Sequence, residues 1–316
     1  MRTFCTIISP DYFPYALTLY KSLADLNANE HLHILLTEKN GQLTSGKHPS
    51  IHITSIEEIL EFAPAKKIYE RYAETDDKFR WALKPVFILW LLERGYDKVI
   101  YTDCDVYFYN EYEFLFGELD LHNVILFPNW RAHSPAENED EFYALFTIGQ
   151  FSAGTIGASN KGWDAISWWA DVCHFKIEQQ NEKGLFDDMR YLDALPTYYD
   201  NIGIIKHRGC NIGFWNQDEC KRVNVNGETR INGDYPIIFI HFTTRSIPRI
   251  VNGEDTLLYP YLEKYEQAFQ QNGHSLKEYI VDFPGTLALG YLTKTKRKLL
   301  LRTRLRKFLL KLVNKL

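Results

Sequence analysis

The segment Asp97-Lys-Val-Ile-Tyr-Thr-Asp-Cys-Asp-Val-Tyr-Phe108 is the most informative stretch of the sequence. A run of apolar and aromatic residues leads into two acids, Asp103 and Asp105, and more apolar residues follow. The pattern predicts a buried strand over residues 98–101 with the acids at its carboxyl end. In an open α/β sheet, ligands bind at the carboxyl ends of strands, so the acid pair is well placed to meet one.

The spacing of Asp103 and Asp105 has a chemical consequence. Two carboxylates that face one point repel each other and cost desolvation free energy, and a cation at that point reverses the balance. Their hard oxygens suit Mn²⁺ or Mg²⁺, ions that also bridge diphosphate oxygens. The pair therefore predicts a Mn²⁺ or Mg²⁺ site, although Asp-x-Asp is common and can also be an ordinary polar turn.

The flanking sequence predicts an α/β fold. A strand over 4–8, a helix over 11–26 and a strand over 31–36 indicate a βαβ unit and a mostly parallel central sheet flanked by helices. We expect this domain to span residues 1–270. The other predicted elements are strands or extended segments at 51–53, 106–109, 124–127, 151–158, 202–205 and 237–241, helices at 78–94 and 163–180, a loop at 134–141 and a hairpin tip at 224–234.

Composition is that of a globular protein, with 45% hydrophobic and 24% charged residues among 316. The five cysteines form no Cys-x-x-Cys pair, which favours a reducing compartment over a disulfide framework. The apolar run at 4–8 has the length of a buried strand and is too short for a signal sequence. No apolar run reaches the ~18 residues needed to span a bilayer.

The C-terminal extension, residues 271–316, differs from the body in charge. Residues 294–316 hold ten Lys or Arg and no acid, so a chain of net charge −5 carries −15 elsewhere. Apolar residues recur on one helical face, which predicts a basic amphipathic helix on an anionic membrane surface and a cytoplasmic protein peripherally associated with the inner face. A helix docked on the core is the alternative. Nucleic acid is disfavoured by the acidic body and the lack of aromatic residues in the tail.

Six segments in order resemble the GT-A glycosyltransferases over residues 3–245. The resemblance is nearest to the retaining family that includes the bacterial lipooligosaccharide galactosyltransferases and glycogenin. The segments are Ser9-Pro-Asp-Tyr12, Arg80-Trp-Ala-Leu-Lys84-Pro85, Val99-Ile-Tyr-Thr-Asp103-Cys-Asp105, Phe151-Ser-Ala-Gly154, Asp187-Asp188-Met-Arg and Ile240-His241-Phe-Thr243.

The resemblance implies roles for particular residues. It implies Asp103, Asp105 and His241 as metal ligands, Asp188 and Asp187 as catalytic acids beside the sugar, and Asn211 and Trp215 as acceptor or sugar contacts. It implies nucleotide or donor contacts from Ser9, Asp11, Tyr12, Arg80, Lys84, Thr102, Cys104, Ser152, Ala153, Gly154 and Arg245. Each has an ordinary alternative: a core histidine for His241, helix caps for the acid pair, solvated helix residues for Arg80 and Lys84, and loop packing for Asn211 and Trp215.

The sequence departs from this family at three points. Ser152 stands where Asn is usual, Met189 stands where a Gln follows the acid, and the Gly and Lys after the histidine strand are missing. The choice between retention and inversion therefore stays open.

These patterns predict a metal-dependent glycosyltransferase of surface polysaccharide biosynthesis. The expected donor is a nucleotide-sugar, with a UDP-sugar first, and the expected acceptor is a glycan or a lipid-linked glycan. The alternatives are a sugar-1-phosphate nucleotidyltransferase and a non-catalytic, membrane-associated module that binds nucleotide-sugars. The first would carry a Gly-rich basic loop after the first strand, where this chain has Ser9-Pro-Asp-Tyr-Phe13.

Overall fold

The computed structural model describes residues 1–38 and 48–276. It divides the chain into two units, Met1–His241 and a second unit that begins at Phe242. The boundary expected at residue 270 stays a prediction. The basic segment 294–316, with its expected amphipathic helix, lies outside the described residues.

The strands of the described residues are numbered in chain order. They are β1 (Arg2–Ile8), β2 (Leu32–Leu36), β3 (Ile51–Ser55), β4 (Lys98–Thr102), β5 (Val106–Phe108), β6 (Val124–Pro128), β7 (Phe151–Ser159), β8 (Gln179–Gln180), β9 (Leu185–Phe186), β10 (Ile202–Ile204), β11 (Arg222–Val225), β12 (Glu228–Ile231), β13 (Tyr235–Pro236) and β14 (Phe239–His241).

The α-helices of the same residues are numbered likewise. They are α1 (Phe13–Leu26), α2 (Ile56–Ile59), α3 (Ala63–Tyr72), α4 (Asp76–Glu93), α5 (Glu113–Leu121), α6 (Glu139–Thr147), α7 (Trp163–Phe175) and α8 (Leu195–Tyr198) in the first unit, and α9 (Ser246–Val251) and α10 (Tyr259–Gln271) in the second.

A seven-stranded sheet lies at the centre of the first unit, in the order β10-β6-β7-β4-β1-β2-β3. Neighbouring strands are parallel except around β7, which is antiparallel to β4 and β6. Six of the seven β1 residues are buried, as expected for a strand covered on both faces. The predicted α/β fold with a mostly parallel central sheet is confirmed.

Two apolar cores cover the two faces of this sheet. One includes Leu83 and Val86 of α4 with Trp169 of α7, and the other includes Leu19 of α1 with Phe116 of α5. Burial of these residues supplies the main driving force for folding. The carboxyl ends of β1 and β4 remain at one edge of this layered structure, where the candidate site lies.

Two element predictions were wrong. The acids at 139–141, predicted to lie in a loop, form the first turn of α6, where the Asn138 side chain accepts a hydrogen bond from the Glu141 amide at 3.2 Å. Acids favour that position because it meets the positive end of the helix dipole. The helix predicted for 163–180 ends at Phe175, and β8 pairs with β9 in a short hairpin.

A buried histidine makes this fold sensitive to acid. His33 of β2 stacks on His52 of β3 with ring centroids 4.5 Å apart, and its Nε2 lies 2.7 Å from the Tyr96 hydroxyl. Burial, then the neighbouring His52 and His31, lowers the pKa of His33 to about 3. The unfolded chain protonates this residue below its ordinary pKa of about 6.5, whereas the folded chain keeps it neutral.

We therefore expect stability to fall as pH falls below 6.5, down to the folded pKa. Between pH 7 and pH 5 the contribution of this single group is about 2 kcal/mol in the free energy of unfolding. His33→Gln should reduce that decrease in urea titrations at the two pH values. The matched control is His174→Gln, on α7 outside this cluster. An equal decrease in the His33→Gln protein would contradict the assignment.

Candidate active site

Three potential metal ligands come together at the carboxyl edge of the sheet. β4 ends at Thr102, the acids Asp103 and Asp105 follow, and β5 begins at Val106. β14 pairs antiparallel with β5 so that His241 lies opposite Val106. This pairing places the imidazole beside both carboxylates, although the histidine is far away in the sequence.

The distances among these groups fit a single ion. His241 Nε2 lies 2.9 Å from Asp105 Oδ1 and 3.8 Å from Asp103 Oδ2, and the three donor atoms all lie within 4.8 Å of one another. Adjacent ligands of an octahedral ion are about 3 Å apart, and opposite ligands about 4 Å. The donor set of two carboxylates and an imidazole therefore suits Mn²⁺ or Mg²⁺.

The electrostatics of the three groups are coupled. Burial opposes the charge on His241, but Asp105 and Asp103 outweigh burial and raise the histidine pKa. Burial likewise opposes ionisation of Asp103, but Lys84 and His241 outweigh it and lower the pKa of that acid. An imidazolium and a metal ion are thus alternative ways of neutralising the acid pair, and metal binding would release the histidine proton.

A clamp on Asp103 was missed in the sequence. The buried Tyr101 hydroxyl donates to Asp103 Oδ1 at 2.6 Å, and Lys84 Nζ lies 3.3 Å from the same oxygen. Oδ1 is thereby occupied, and Oδ2 is the oxygen nearer to His241. Such contacts orient the ligands of a metal site. Tyr101 lies within a strand pattern that predicts only a core aromatic, so no sequence signal distinguished it.

Lys84 lies beneath the acids rather than at an open surface. Its side chain is only 5% exposed, and Nζ lies 3.2 Å from Asp188 Oδ2 and donates to the Ala153 carbonyl at 3.1 Å. Burial alone would lower the lysine pKa, but Asp103 and Asp188 raise it overall. The expected diphosphate contact of Lys84 stays a prediction, and the structure assigns its charge to two carboxylates.

The predicted acid pair Asp187 and Asp188 has two different environments. Asp188 is 5% exposed on its side chain, and burial raises its pKa to about 6 against the opposing effect of Lys84. Asp187 has a left-handed backbone with φ 48°, and its Oδ2 accepts from Gln179 Nε2 at 2.7 Å. Strained backbone of this kind is concentrated at functional sites. The two neighbours therefore face different surroundings.

Gly154 of β7 is packed directly against the three potential ligands. A Cβ at this position would lie 2.6 Å from His241 Cε1 and 2.9 Å from Asp103 Oδ2. Its amide donates to Ser152 Oγ at 3.1 Å, and its carbonyl accepts from the Asp103 amide at 2.8 Å. Only a glycine allows β7 to approach the acids this closely.

Two further predicted donor residues lie beside the acids. Thr102 is fully buried, with its hydroxyl 3.4 Å from that of Thr155. Cys104 lies between the two acids, and burial followed by Asp105 and Asp103 raises the pKa of its thiol. The structure thus places a neutral thiol between the carboxylates and turns the threonine inward.

Predicted nucleotide contacts line a cavity of about 330 Å³ beyond β1. Arg80 Nη1 donates to Ser9 Oγ at 3.2 Å, and its guanidinium lies 5.3 Å from the centre of the Tyr12 ring. Asp77 forms an ion pair with Arg80. The cavity is lined by Ser9, Asp11, Tyr12, Thr37, Glu38, Ala73, Asp77, Phe79 and Arg80.

Asn211 and Trp215 lie near the histidine strand. Ile212 bridges to Ile240, and the Trp215 ring meets the His241 ring edge-on at 5.7 Å. Asn211 has φ 58° and donates from Nδ2 to the Pro128 carbonyl at 3.3 Å. Both residues are therefore within the same group of side chains as the potential ligands.

Arg245 belongs to the second unit, where it directly precedes α9. Its expected contact with the donor stays a prediction.

Comparison with known proteins identifies the fold. No family model matches the sequence. Two uncharacterised Bacillus subtilis proteins are similar: YfnF is 24% identical over 246 residues, covering 76% of this chain and 80% of YfnF, and YfnD is 23% identical over 247 residues, covering 76% of each. The crystal structure of the galactosyltransferase LgtC superposes with a TM-score of 0.50 and 16% identity, covering 77% of this chain and 87% of LgtC.

This chain has the GT-A fold. The likeness to LgtC at 16% identity concerns the fold, and the B. subtilis relatives bring no assigned activity. In the GT-A sheet of this protein, the acids after β4 and the cavity beyond β1 share the carboxyl edge, where α/β sheets bind their ligands. The geometry of these residues must therefore support the function.

Gly154→Ala tests whether close packing shapes this site. The added methyl would displace His241 or Asp103, so we expect Mn²⁺ affinity to fall by about 10-fold or more, as losses around metal ligands typically do. Isothermal titration with Mn²⁺ measures this change. Gly117→Ala, on α5 with no atom within 4 Å of the new Cβ, is the matched control and should bind like the wild type. Wild-type affinity in Gly154→Ala would show that the packing is irrelevant to metal binding.

Proposed function

We propose that the protein is a metal-dependent glycosyltransferase that moves a sugar from a nucleoside-diphosphate-sugar to a glycan or lipid-linked acceptor. The observation that carries this proposal is the group formed by Asp103, Asp105 and His241 at the carboxyl edge of a GT-A sheet. The cavity lined by Tyr12 and Arg80 at the same edge supports it. LgtC, which shares the fold, is a galactosyltransferase solved with donor and acceptor sugar analogues.

The proposed division of labour follows from charge. Asp103, Asp105 and His241 would hold Mn²⁺ or Mg²⁺, which supplies Lewis-acid stabilisation for the charge on the departing diphosphate. Arg80 and Tyr12 would hold the nucleotide, together with Ser9 and Asp11 of the same cavity. Arg245 is proposed as a further cation for the phosphates. Lys84 keeps Asp103 ionised, because it lowers the pKa of that carboxyl.

Asp188 is the proposed catalytic carboxylate. In an inverting reaction a base must remove the proton of the acceptor hydroxyl, and a pKa of about 6 leaves Asp188 ionised at neutral pH while keeping appreciable basicity. In a retaining reaction the departing phosphate oxygen can take that proton, and Asp188 would instead orient the sugar. The stereochemistry of the product distinguishes the two roles.

Asp105→Asn tests the proposed chemistry, because it removes one negative charge and keeps the side-chain shape. Wild-type protein should gain thermal stability from one nucleoside diphosphate or nucleotide-sugar only when Mn²⁺ is present, and the variant should lose this gain. Transfer or donor hydrolysis should fall by about 100-fold or more.

Asp25→Asn, at an exposed acid on α1, is the control and should behave like the wild type. Full activity in Asp105→Asn, or stabilisation by the nucleotide without metal, would contradict a metal-dependent transferase.

A membrane-bound acceptor in surface polysaccharide assembly is also part of the proposal. Among the described residues no helix is long and apolar enough to cross a bilayer. The argument for peripheral binding therefore comes from the sequence, where ten basic residues alternate with leucines at 294–316.

Deletion of residues 294–316 tests this membrane contact in a liposome sedimentation assay. The full chain should sediment with vesicles that contain phosphatidylglycerol and remain in solution with neutral phosphatidylcholine vesicles, because the attraction is electrostatic. The truncated chain should remain in solution with both. Equal sedimentation of the two proteins would contradict the proposed role of the tail.

A further inference from the structure

A second cavity, of about 360 Å³, lies between α4 and the β8–β9 hairpin and has no role so far. One residue, Asp77, lines both this cavity and the nucleotide cavity. The cavity is lined by Asp77, Lys78, Trp81, Glu178, Gln179, Gln180 and Asp187.

The cavity adjoins the candidate metal site through two of its residues. Trp81 lies one helical turn before Lys84 on α4, and residues three apart on a helix are neighbours on its surface. Asp187 precedes Asp188, whose carboxylate lies 3.2 Å from Lys84 Nζ. Lys84 in turn contacts Asp103, so the cavity, the nucleotide cavity and the acids are arranged around one helix.

The lining has the chemistry that recognises a pyranose ring. Trp81 is partly exposed and offers an apolar aromatic surface, which suits the C–H face of a sugar. Asp187 and Gln179 offer oxygens that accept hydrogen bonds from hydroxyl groups. Gln180 Oε1 is buried without a hydrogen-bond partner among the residues that the structure describes, and an unsatisfied buried acceptor costs free energy until a donor reaches it.

The charges of the lining are balanced. Asp77 pairs with Arg80, and Glu178 lies 3.3 Å from Lys176 Nζ. Lys78 acts on the third acid, Asp187, and lowers its pKa against the larger, opposing effect of burial. A neutral, hydroxylated ligand therefore fits this cavity better than a strongly charged one. Its volume lies at the lower end of the range for ligand pockets, which suits a single sugar ring.

We propose that this cavity holds the sugar ring of the donor, with Trp81 as the stacking surface and the β8–β9 hairpin as the wall that selects a neutral hexopyranose. The inference rests on the proposed transferase function and adds the residues and the sugar class. It assigns Trp81, Gln179 and Gln180 to sugar recognition, separate from the residues that bind nucleotide and metal.

The test compares the affinity for a nucleotide-sugar with that for its nucleoside diphosphate in the full chain with Mn²⁺. UDP, dTDP, GDP, ADP and CDP are titrated first, and the one that binds fixes the base for a panel of neutral hexose donors. Trp81→Ala should weaken the best donor by 10-fold or more and change nucleoside diphosphate affinity by less than twofold. Trp81→Phe, which keeps an aromatic ring, should retain most of the donor affinity.

Trp168→Ala is the matched control, because Trp168 is a partly exposed tryptophan of α7 that packs near Tyr199 and lines neither cavity. It should leave both affinities unchanged. Unchanged donor affinity in Trp81→Ala, or an equal loss of donor and nucleoside diphosphate, would overturn the sugar assignment and leave the transferase proposal in place. Failure of every nucleoside diphosphate to bind the wild type would overturn both.

Discussion

Two carboxylates at the end of one buried strand determine how this site is built. Asp103 and Asp105 lie near enough to share the His241 imidazole, and neither would stay ionised in this buried setting without nearby positive charge. Lys84 supplies one such charge from below, and the imidazolium supplies another. A divalent ion shared with a diphosphate would replace the histidine proton and complete the neutralisation.

The fold serves this requirement through three approaches of the backbone. The pairing of β5 with β14 brings His241 to the acids, and Gly154 lets β7 approach them without a side chain in between. Helix α4 does more than cover the sheet. It places Arg80 at one cavity, Trp81 at another and Lys84 beneath the carboxylates, so a single element connects nucleotide, sugar and metal chemistry in the proposed enzyme.

Sequence patterns predicted the elements whose signal is local. The apolar runs of β1, β2 and β4 and the helix between the first two follow from periodicity, and the acid pair is conspicuous because charged residues directly follow a buried strand. The grouping of His241 with those acids was expected from a family resemblance and not from spacing, since only the β5–β14 pairing makes them neighbours. Tyr101 and Trp81 were missed as site residues because their contacts are made through space. Helix α6 was missed because its capping acids look like a polar loop in the sequence.

The central claim is that Asp103, Asp105 and His241 bind one divalent ion together with a nucleoside diphosphate. Anomalous diffraction at the manganese edge, from crystals grown with Mn²⁺ and the nucleoside diphosphate that binds, locates the ion directly. The account predicts a single strong peak within about 2.0–2.3 Å of Asp103 Oδ2, Asp105 Oδ1 and His241 Nε2, with diphosphate oxygens completing the coordination. A diphosphate bound at this edge with no manganese between it and the two carboxylates would contradict it.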